Sequence, residues 1–296
     1  SASITVSISC YSPGVTIRYT TDGSIPTETL GTIYTSPISI TTTTTLKAVA
    51  YGNGYSVSPA AQAHYIFPIN VATIAELRAG TPGVYYKYTG TAVITFQQAF
   101  RHQKFIQDNT AAILIDDNSG AITTTYNLYD GISNIVGTVA EYGGMMQLTP
   151  LADPGPAVST GNVIIPQEIS LNELVTNFEE YESELIRVMG VSFDNAESGL
   201  TFINGTLYPM NNGLMNFRTT FYDVDYIGMP VPTGLWNIIG LPNSRVVEGN
   251  LFTARCWADF SSAGVTLPAP VVTISVQDNN IILSWEPVTG ATSYRI

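Results

Sequence analysis

Residues 85–95 read YYKYTGTAVIT, and this stretch decides the fold of the middle of the chain. The β-branched and aromatic residues on both sides of Gly90 predict one long strand, and the glycine marks the point where that strand must bend. Four further strands are predicted after it, at Lys104–Gln107, Ala112–Ile115, Ile132–Tyr142 and Met145–Pro150. Five short strands of which the first is bent indicate a small, partly open barrel.

The same pattern recurs about 100 residues later, which predicts two copies of one domain. The recurring pairs are Thr73–Leu77 with Ser170–Leu174, Phe105–Asp108 with Phe202–Gly205, Asn134–Gly137 with Asn237–Gly240, and Gly90 with Gly190. The first pair carries a hydroxyl residue three positions before a glutamate, a capping box that begins a helix. Each copy is therefore expected to open with a helical turn.

Strand-like runs also flank the two copies. The run Val15–Thr20 alternates, and the turn Asp22–Ser24 after it contains a glycine suited to positive φ. The runs Val271–Val276 and Ile281–Trp285 alternate near the other end, and a third strand is expected to begin after them. The prediction is an all-β, multidomain chain of four units, at residues 1–67, 68–156, 157–262 and 263–296. The short linkers between the units predict a semi-rigid rod.

All four units resemble known families. Pro13–Ser24, with Pro26-Thr27, Tyr34, Pro37-Ile38 and Thr45–Ala48, resembles the C-terminal β-sandwich of chitobiase and β-hexosaminidase. That resemblance implies an accessory module without catalytic carboxylates, in which Cys10 fits a buried strand position. Residues 68–156 and 157–262 are similar to OB-like domains that occur in tandem in secreted and surface proteins of Gram-negative bacteria. Residues 271–296, with Trp285 as the core tryptophan, resemble the start of a fibronectin type III domain.

The composition excludes several classes of function. Acidic residues outnumber basic ones 23 to 11, giving a net charge of -12, and such a surface repels nucleic acid and anionic membranes. The 2 Cys and 2 His are too few and too scattered for a structural zinc site. We therefore expect no cofactor, no metal ion and no membrane insertion, and we expect Cys10 and Cys256 to be separate buried thiols.

Six residues are candidate ligand contacts. Arg101, His102 and Lys104 form the basic cluster of the chain, and two phenylalanines flank it. The cluster is either a stacking and phosphate-binding patch on an OB-like face or, as we favour, a solvated loop whose phenylalanines lie in the core. Tyr126, Tyr129 and Tyr142 are near turns, where an exposed ring can stack on a sugar or a base.

Other polar groups have simpler interpretations. Glu179, Glu180, Glu182 and Glu184 are expected to form a solvated acidic face. Asp116-Asp117-Asn118 is expected to form a hairpin turn, because the glutamate that ends a helical calcium loop is missing. His64, beside the strand-closing Tyr65, is expected to be a structural residue rather than part of a catalytic triad.

The chain begins and ends in strand-like runs, so we expect a segment of a longer protein. The predicted function is that of a non-catalytic extracellular binding or spacer segment of a secreted or cell-surface bacterial protein, which serves adhesion or positions an attached domain. Its expected partners are further domains of the same chain and a surface glycan or protein. The alternative is a nucleic-acid-binding or carbohydrate-binding accessory region of a secreted nuclease or glycoside hydrolase.

Overall fold

The computed structural model describes residues 3–52, 54–222, 224–264, 270–277 and 280–288. Over these residues the chain consists of several β-sheets and a few short helices, which confirms the predicted all-β, multidomain architecture. The α-helices within these ranges are α1 (Ile74–Arg78), α2 (Leu171–Thr176) and α3 (Phe178–Tyr181). None of the helices described has the length and apolar character needed to cross a membrane.

The N-terminal unit is a small β-sandwich, as predicted. Its strands are β1 (Ile4–Val6), β2 (Thr16–Thr20), β3 (Thr32–Ile33), β4 (Ile38–Ile40), β5 (Thr44–Tyr51) and β6 (Ala61–Tyr65). Strands β1 and β4 form one sheet, and β3-β2-β5-β6 form the other. The buried residues described in this unit are Pro26, Ile40, Leu46, Ala48 and Val49, so its core is small.

Two local features of the sandwich test the sequence predictions. The turn Asp22–Ser24 is confirmed: Gly23 has a φ of 82°, and Asp22 Oδ1 accepts a hydrogen bond of 2.9 Å from the Ser24 amide. The buried position expected for Cys10 is wrong, because β1 ends at Val6 and Cys10 lies exposed beyond it. Cys256 is only partly buried, although the two thiols are separate, as expected.

Residues 69–162 form barrel 1. Its strands are β7 (Ile69–Val71), β8 (Tyr85–Tyr88), β9 (Ala92–Gln97), β10 (Lys104–Gln107), β11 (Ala112–Ile115), β12 (Gly131–Ile132), β13 (Ile135–Tyr142) and β14 (Met145–Pro150). They are ordered β12-β9-β10-β11-β14-β13-β8-β7. Since β8 and β9 are the two halves of the predicted bent strand, the sheet rolls round and returns to the strand where it began. At the bend, a Cβ on Gly90 would lie 2.3 Å from the Ala72 carbonyl oxygen, so a side chain does not fit there.

Residues 167–262 form barrel 2. Its strands are β15 (Gln167–Ser170), β16 (Ile186–Val191), β17 (Leu207–Met210), β18 (Met215–Arg218), β19 (Trp236–Arg245), β20 (Gly249–Thr253) and β21 (Phe260–Ser262). The order β15-β16-β19-β20-β18-β17 repeats the run β7-β8-β13-β14-β11-β10 of barrel 1, and β21 pairs with β19. Strands β11 and β14 of the first copy and β18 and β20 of the second are paired in parallel. A bridge between Phe193, just after β16, and Met210, at the end of β17, joins these two strands.

Matching glycines confirm one of the predicted repeat pairs. A Cβ on Gly137 would lie 2.2 Å from the Thr149 carbonyl oxygen, and one on Gly240 would lie 2.4 Å from that of Thr253. Gly137 therefore allows β13 to approach β14, and Gly240 allows β19 to approach β20 in the same way. The pairing of Phe105–Asp108 with Phe202–Gly205 is wrong, because the first segment forms β10 whereas the second is a loop before β17.

The helices that open the two copies are also confirmed, with one difference. Thr73 caps α1 in a complete capping box, in which Glu76 accepts a hydrogen bond from the Thr73 amide. Ser170 caps α2 through a 3.1 Å hydrogen bond from the Glu173 amide. The Glu173 carboxylate, however, accepts from Asn177 Nδ2 at 2.8 Å instead of closing the box.

The barrels share an apolar core. Barrel 1 contributes Phe96, Phe105, Leu114 and Met145 to the cluster of buried side chains that fills barrel 2. Phe105 and Leu114 lie opposite each other in the register of β10 and β11, and their neighbours Ile106 and Ile113 point into barrel 1. Strand β11 is thus buried on both faces, which is why residues 112–115 are continuously apolar rather than alternating.

Polar contacts reinforce this interface. Arg255 of barrel 2 donates to the Thr95 carbonyl oxygen of barrel 1 at 2.8 Å and is held by an ion pair with Asp259, also 2.8 Å long. The Leu185 amide donates to Gln107 Oε1 at 2.9 Å. These contacts and the shared core join the two barrels as a single packed unit.

Barrel 1 extends beyond its predicted boundary, and a hairpin follows barrel 2. The Val158 amide donates to the Gly131 carbonyl oxygen, and Asn162 Nδ2 donates to that of Tyr129, both at 2.8 Å, so residues just beyond the predicted boundary at 156 still pack on barrel 1. Strands β22 (Val272–Gln277) and β23 (Asn280–Trp285) form the predicted C-terminal hairpin. Residues 289–296 of the predicted third strand lie outside the described residues.

Candidate functional site

A cleft of 420 Å³ lies between the two barrels. Barrel 1 lines it with residues of the loop 98–103 and of the hairpin that joins β13 to β14, and barrel 2 lines it with residues 220–222 and 243–248. The volume falls within the range of about 300–1,000 Å³ that is usual for sites that bind small molecules. The cleft is therefore the candidate functional site.

Equivalent hairpins of the two copies meet at this cleft. The turn between β13 and β14 contains Gly143 and Gly144, with φ angles of 69° and 84°. A Cβ on Gly144 would lie 3.2 Å from Cβ of Ser244, at the end of β19. The first hairpin can approach the second this closely because its turn has no side chains, so both copies contribute the same element to one site.

The floor of the cleft is apolar and rigid. Phe221 meets Phe105 edge to face, with ring centroids 5.6 Å apart, and Leu114 lies beside them on the strand next to that of Phe105. All three side chains are buried. Because buried rings in an interlocking cluster have little freedom, the floor is preorganised.

The rim of the cleft carries exposed aromatic side chains. The rings of Phe100 and Tyr222, one from each barrel, lie 5.1 Å apart, and each side chain is about half exposed. Tyr142, at the end of β13, is 74% exposed. Val246 and Val247 extend the exposed apolar surface on the side of barrel 2. Apolar groups gathered round a cleft are typical of a binding surface.

Arg101 and Asp116 lie in the wall of the cleft and form an ion pair. Arg101 Nε donates to Asp116 Oδ1 at 2.7 Å, and Arg101 Nη2 donates to Asp116 Oδ2. Burial alone would raise the pKa of Asp116, but hydrogen bonds from Arg101 and Gln103 outweigh it and hold that pKa below its usual value. The bonds also offset the cost of the backbone, since Arg101 and His102 have φ angles of 51° and 47°.

A second ion pair lies on the opposite wall. Arg245 Nε is 2.9 Å from Glu248 Oε2, and Glu248 Oε1 is 3.4 Å from Nε of Arg218, just behind the wall. The cleft is thus lined by two arginines and two carboxylates, each of them in an ion pair. The four charged side chains that line the cleft therefore sum to zero net charge.

The other two members of the basic cluster do not line the cleft. His102 Nδ1 lies 3.1 Å from the Asp117 carbonyl oxygen. Lys104 is buried and donates to the His102 carbonyl oxygen at 3.1 Å, and burial lowers the pKa of its ammonium. The structure brings Arg101 to the cleft and places His102 and Lys104 in contacts within barrel 1. A role for these two residues in ligand binding stays a prediction.

The three candidate tyrosines lie in different surroundings. Tyr142 shares the cleft with Arg101. Tyr126 is buried, and its hydroxyl donates to the Gly155 carbonyl oxygen. Tyr129 lies at the interface of the barrels, where its hydroxyl accepts from Arg255 Nη1 at 3.2 Å. The structure therefore gathers Arg101 and Tyr142 in one site and leaves the other two tyrosines outside it.

The solvated acidic face was predicted correctly for part of its length. Glu179 and Glu180 are exposed on α3. Glu182 is only 2% exposed, which contradicts the prediction: it lies between the barrels, 2.7 Å from Arg78 Nη1, and accepts from the Met146 amide at 3.1 Å. Burial raises the pKa of Glu182 and that of Glu184. Glu182 lies in the interface because α3 ends at Tyr181, after which the chain turns inward.

The aspartates after β11 form a turn but not a hairpin. Asp117 accepts hydrogen bonds from the amides of Ala121 and Ile122, at 2.7 Å and 2.9 Å, and so closes a loop rather than joining paired strands. Across the part of the chain that the structure describes, no group of three or more His, Cys, Asp or Glu side chains is placed to hold a metal ion.

Sequence reasoning missed the half of the site that barrel 2 supplies. Tyr222, Ser244 and Arg245 stand far from the basic cluster in the chain and reach it only through the packing of the barrels. The repeat offered a signal for two of them, because Ser244 and Arg245 end the strand that is equivalent to the one ending at Tyr142.

The comparisons with known proteins concern the N-terminal sandwich, whose strands run from β1 to β6. Residues 6–65 match the family model described as Fn3 associated. The Fn3-associated region coincides with the sandwich and includes no part of either barrel, and it indicates an accessory module at this end of the chain. No curated protein and no solved structure matches the chain.

Proposed function

We propose that this chain is a non-catalytic binding segment of a larger extracellular protein, and that its ligand lies in the cleft between the barrels. One observation carries the proposal: Phe100, Tyr142 and Tyr222 present exposed rings around a cleft whose floor is rigid. Exposed aromatic side chains on a preorganised site supply contact area at a low cost in conformational entropy.

The topology supports both the position of the site and an OB-type assignment for the barrels. OB-type barrels bind ligands on the face of the second and third strands, with the loop after the first strand and the loop between the fourth and fifth. In barrel 1 these elements are β10, β11, the loop 98–103 and the β13–β14 hairpin, and residues from all four line the cleft.

The flanking units support a role as an accessory. The Fn3-associated sandwich fits the resemblance to the C-terminal module of chitobiase and β-hexosaminidase, which accompanies a catalytic domain. The β22–β23 hairpin fits the start of a fibronectin type III domain. Modules of these kinds, strung along one chain, suit a secreted or surface protein of bacteria in which a rigid barrel pair presents its ligand site.

The chemistry of the cleft favours binding over catalysis. Asp116 is held ionised by Arg101, so its carboxylate is a poor proton donor at neutral pH. The same contact disfavours the nucleic-acid alternative, because the guanidinium that would meet a phosphate is already paired with a carboxylate.

The proposal is tested with the full chain and a panel of extracellular polymers: cellulose, xylan, mannan, mucin and single-stranded DNA. We expect retention on at least one polymer without release of soluble products, and loss of retention in the triple variant Phe100→Ala/Tyr142→Ala/Tyr222→Ala. The double variant Tyr11→Ala/Tyr55→Ala, which removes exposed rings from the sandwich, is the matched control and should bind like the wild type.

Three outcomes would contradict the proposal. They are measurable turnover of a polymer, retention that the triple variant shares with the wild type, and no retention on any member of the panel.

A further inference from the structure

We propose that the cleft takes a neutral oligosaccharide; this inference rests on the proposed binding function and names its ligand class. The first argument is charge. Arg101 is paired with Asp116 and Arg245 with Glu248, so a carboxylate already balances the charge of each arginine that lines the cleft and weakens its attraction for an anionic ligand. The chain as a whole has a net charge of -12, which repels polyanions in addition.

The second argument is the supply of hydrogen bonds. The walls carry three primary amides that are not fully buried, which are Gln98, Gln103 and Gln147. A primary amide has two N–H donors and an oxygen with two lone pairs, so it can donate and accept at once, as a sugar hydroxyl does. Gln147 donates one long bond of 3.4 Å to the Tyr142 carbonyl oxygen, and Gln98 Nε2 donates one bond of 2.6 Å to Gln103 Oε1. Gln98 Oε1 also accepts from the Tyr222 amide, and Gln103 Nε2 donates to Asp116 Oδ1. Each of the three amide groups still keeps one N–H and at least one lone pair for a ligand hydroxyl.

The third argument is the position of the aromatic rings. Tyr142 stands on the hairpin of barrel 1, and the Phe100–Tyr222 pair stands where the two barrels meet. A pyranose ring presents a face of C–H groups and an edge of hydroxyls. The face packs on an aromatic ring while the edge meets the amides, and an oligosaccharide can use both aromatic positions in succession.

The topology disfavours a peptide bound as an added strand. In one recurring mode of peptide recognition, an extended peptide adds a strand to an exposed sheet edge. Strands β10 and β11 each have a neighbour on both sides, and so do β19 and β20. The strands that line the cleft therefore offer no edge to which a peptide strand could add.

The test uses the full chain in titration calorimetry with cellohexaose, xylohexaose and mannohexaose as neutral probes. Hexagalacturonate and an oligothymidylate of about 16 nucleotides are the anionic probes. We expect at least one neutral probe to bind, with an affinity that changes by less than about twofold between low and high salt. Tyr142→Ala should weaken that binding by about tenfold or more, since it removes a stacking platform.

Tyr11→Ala removes a fully exposed ring from the sandwich and should leave the affinity unchanged. No binding of any neutral probe, binding that Tyr142→Ala leaves intact, or tighter binding of an anionic probe with a steep salt dependence would each overturn the inference. If DNA or mucin binds through the cleft while the neutral probes do not, this inference fails and the proposed binding function stands. If nothing binds through the cleft, both fail.

Discussion

The ring centroids of Phe221, in barrel 2, and Phe96, in barrel 1, lie 4.2 Å apart, with an angle of 35° between the ring planes. Both side chains are buried where the two barrels meet. Phe221 follows the third strand of its own barrel and contacts Phe105 of the other as well. A single side chain thus links the floor of the cleft to the interface between the two copies. The site exists in this form because the barrels are packed together.

The first prediction concerns this contact. Phe221→Ala would leave a cavity in the shared core and should lower the free energy of unfolding of the barrel pair by about 3–5 kcal/mol. Urea denaturation followed by tryptophan fluorescence measures the loss. Phe100→Ala is the matched control, because its side chain is about half exposed and its loss should cost about 1 kcal/mol or less. Equal costs for the two variants would show that the interface does not stabilise the barrels.

The second prediction compares two ion pairs of nearly equal length. Arg78–Glu182 is 2.7 Å long with its carboxylate side chain 1% exposed, and Arg187–Glu168 is 2.8 Å long with both side chains more than a third exposed. Glu182→Ala leaves Arg78 without its carboxylate and the Met146 amide without its acceptor between the barrels. This loss should cost about 3–5 kcal/mol of unfolding free energy. Glu168→Ala should cost about 1 kcal/mol or less, since water replaces the exposed partner. A cost for Glu182→Ala no larger than that for Glu168→Ala would be inconsistent with a buried pair.

The third prediction concerns pH. Burial raises the pKa of Glu182 in the folded chain above its ordinary value of 4.5, although Arg78 and the Met146 amide act in the opposite direction. The folded chain therefore holds this proton more tightly than the unfolded chain. The contribution to stability is fully present below the unfolded pKa and is lost as the pH rises through the folded pKa.

Glu182→Gln cannot ionise, so it should escape this loss. The stability of the variant relative to the wild type should increase as the pH rises above 4.5, and thermal unfolding at a series of pH values measures it. Glu28→Gln, at an exposed position of the sandwich, is the control and should not show this gain. A relative stability of Glu182→Gln that stays constant or falls with pH would contradict the prediction.

The fold was largely predictable from the sequence because its signals are local. The runs Lys104–Gln107, Ala112–Ile115 and Met145–Pro150 form strands with the predicted bounds, and the bend at Gly90 is where the glycine indicated it. Alternation, turn residues and capping boxes act over a few residues, so they are visible in a single sequence.

The site was only partly predictable because its signals are not local. Arg101 and Tyr142 were recognised as candidates, but their partners Asp116, Tyr222 and Arg245 join them through tertiary packing. Glu182 was misjudged for the same reason, since a charge run is usually solvated unless another domain covers it. A repeat predicts two copies but does not show which faces of the copies meet.

The fourth prediction concerns the matched glycines of the repeat. Gly137→Ala and Gly240→Ala would each place a Cβ within 2.2–2.4 Å of a carbonyl oxygen of the neighbouring strand, so the fourth and fifth strands would have to separate. Each variant should lose about 2–3 kcal/mol of unfolding free energy, the cost expected of overpacking. Gly161→Ala is the control, because its φ is +64° but a Cβ there would meet nothing within 4 Å, so it should cost only about 1 kcal/mol of backbone strain. Since the two glycines occupy equivalent positions, their costs should agree more closely with each other than with the control. A marked difference between Gly137→Ala and Gly240→Ala would mean that the two barrels, despite a common strand order, do not tolerate strain in the same way.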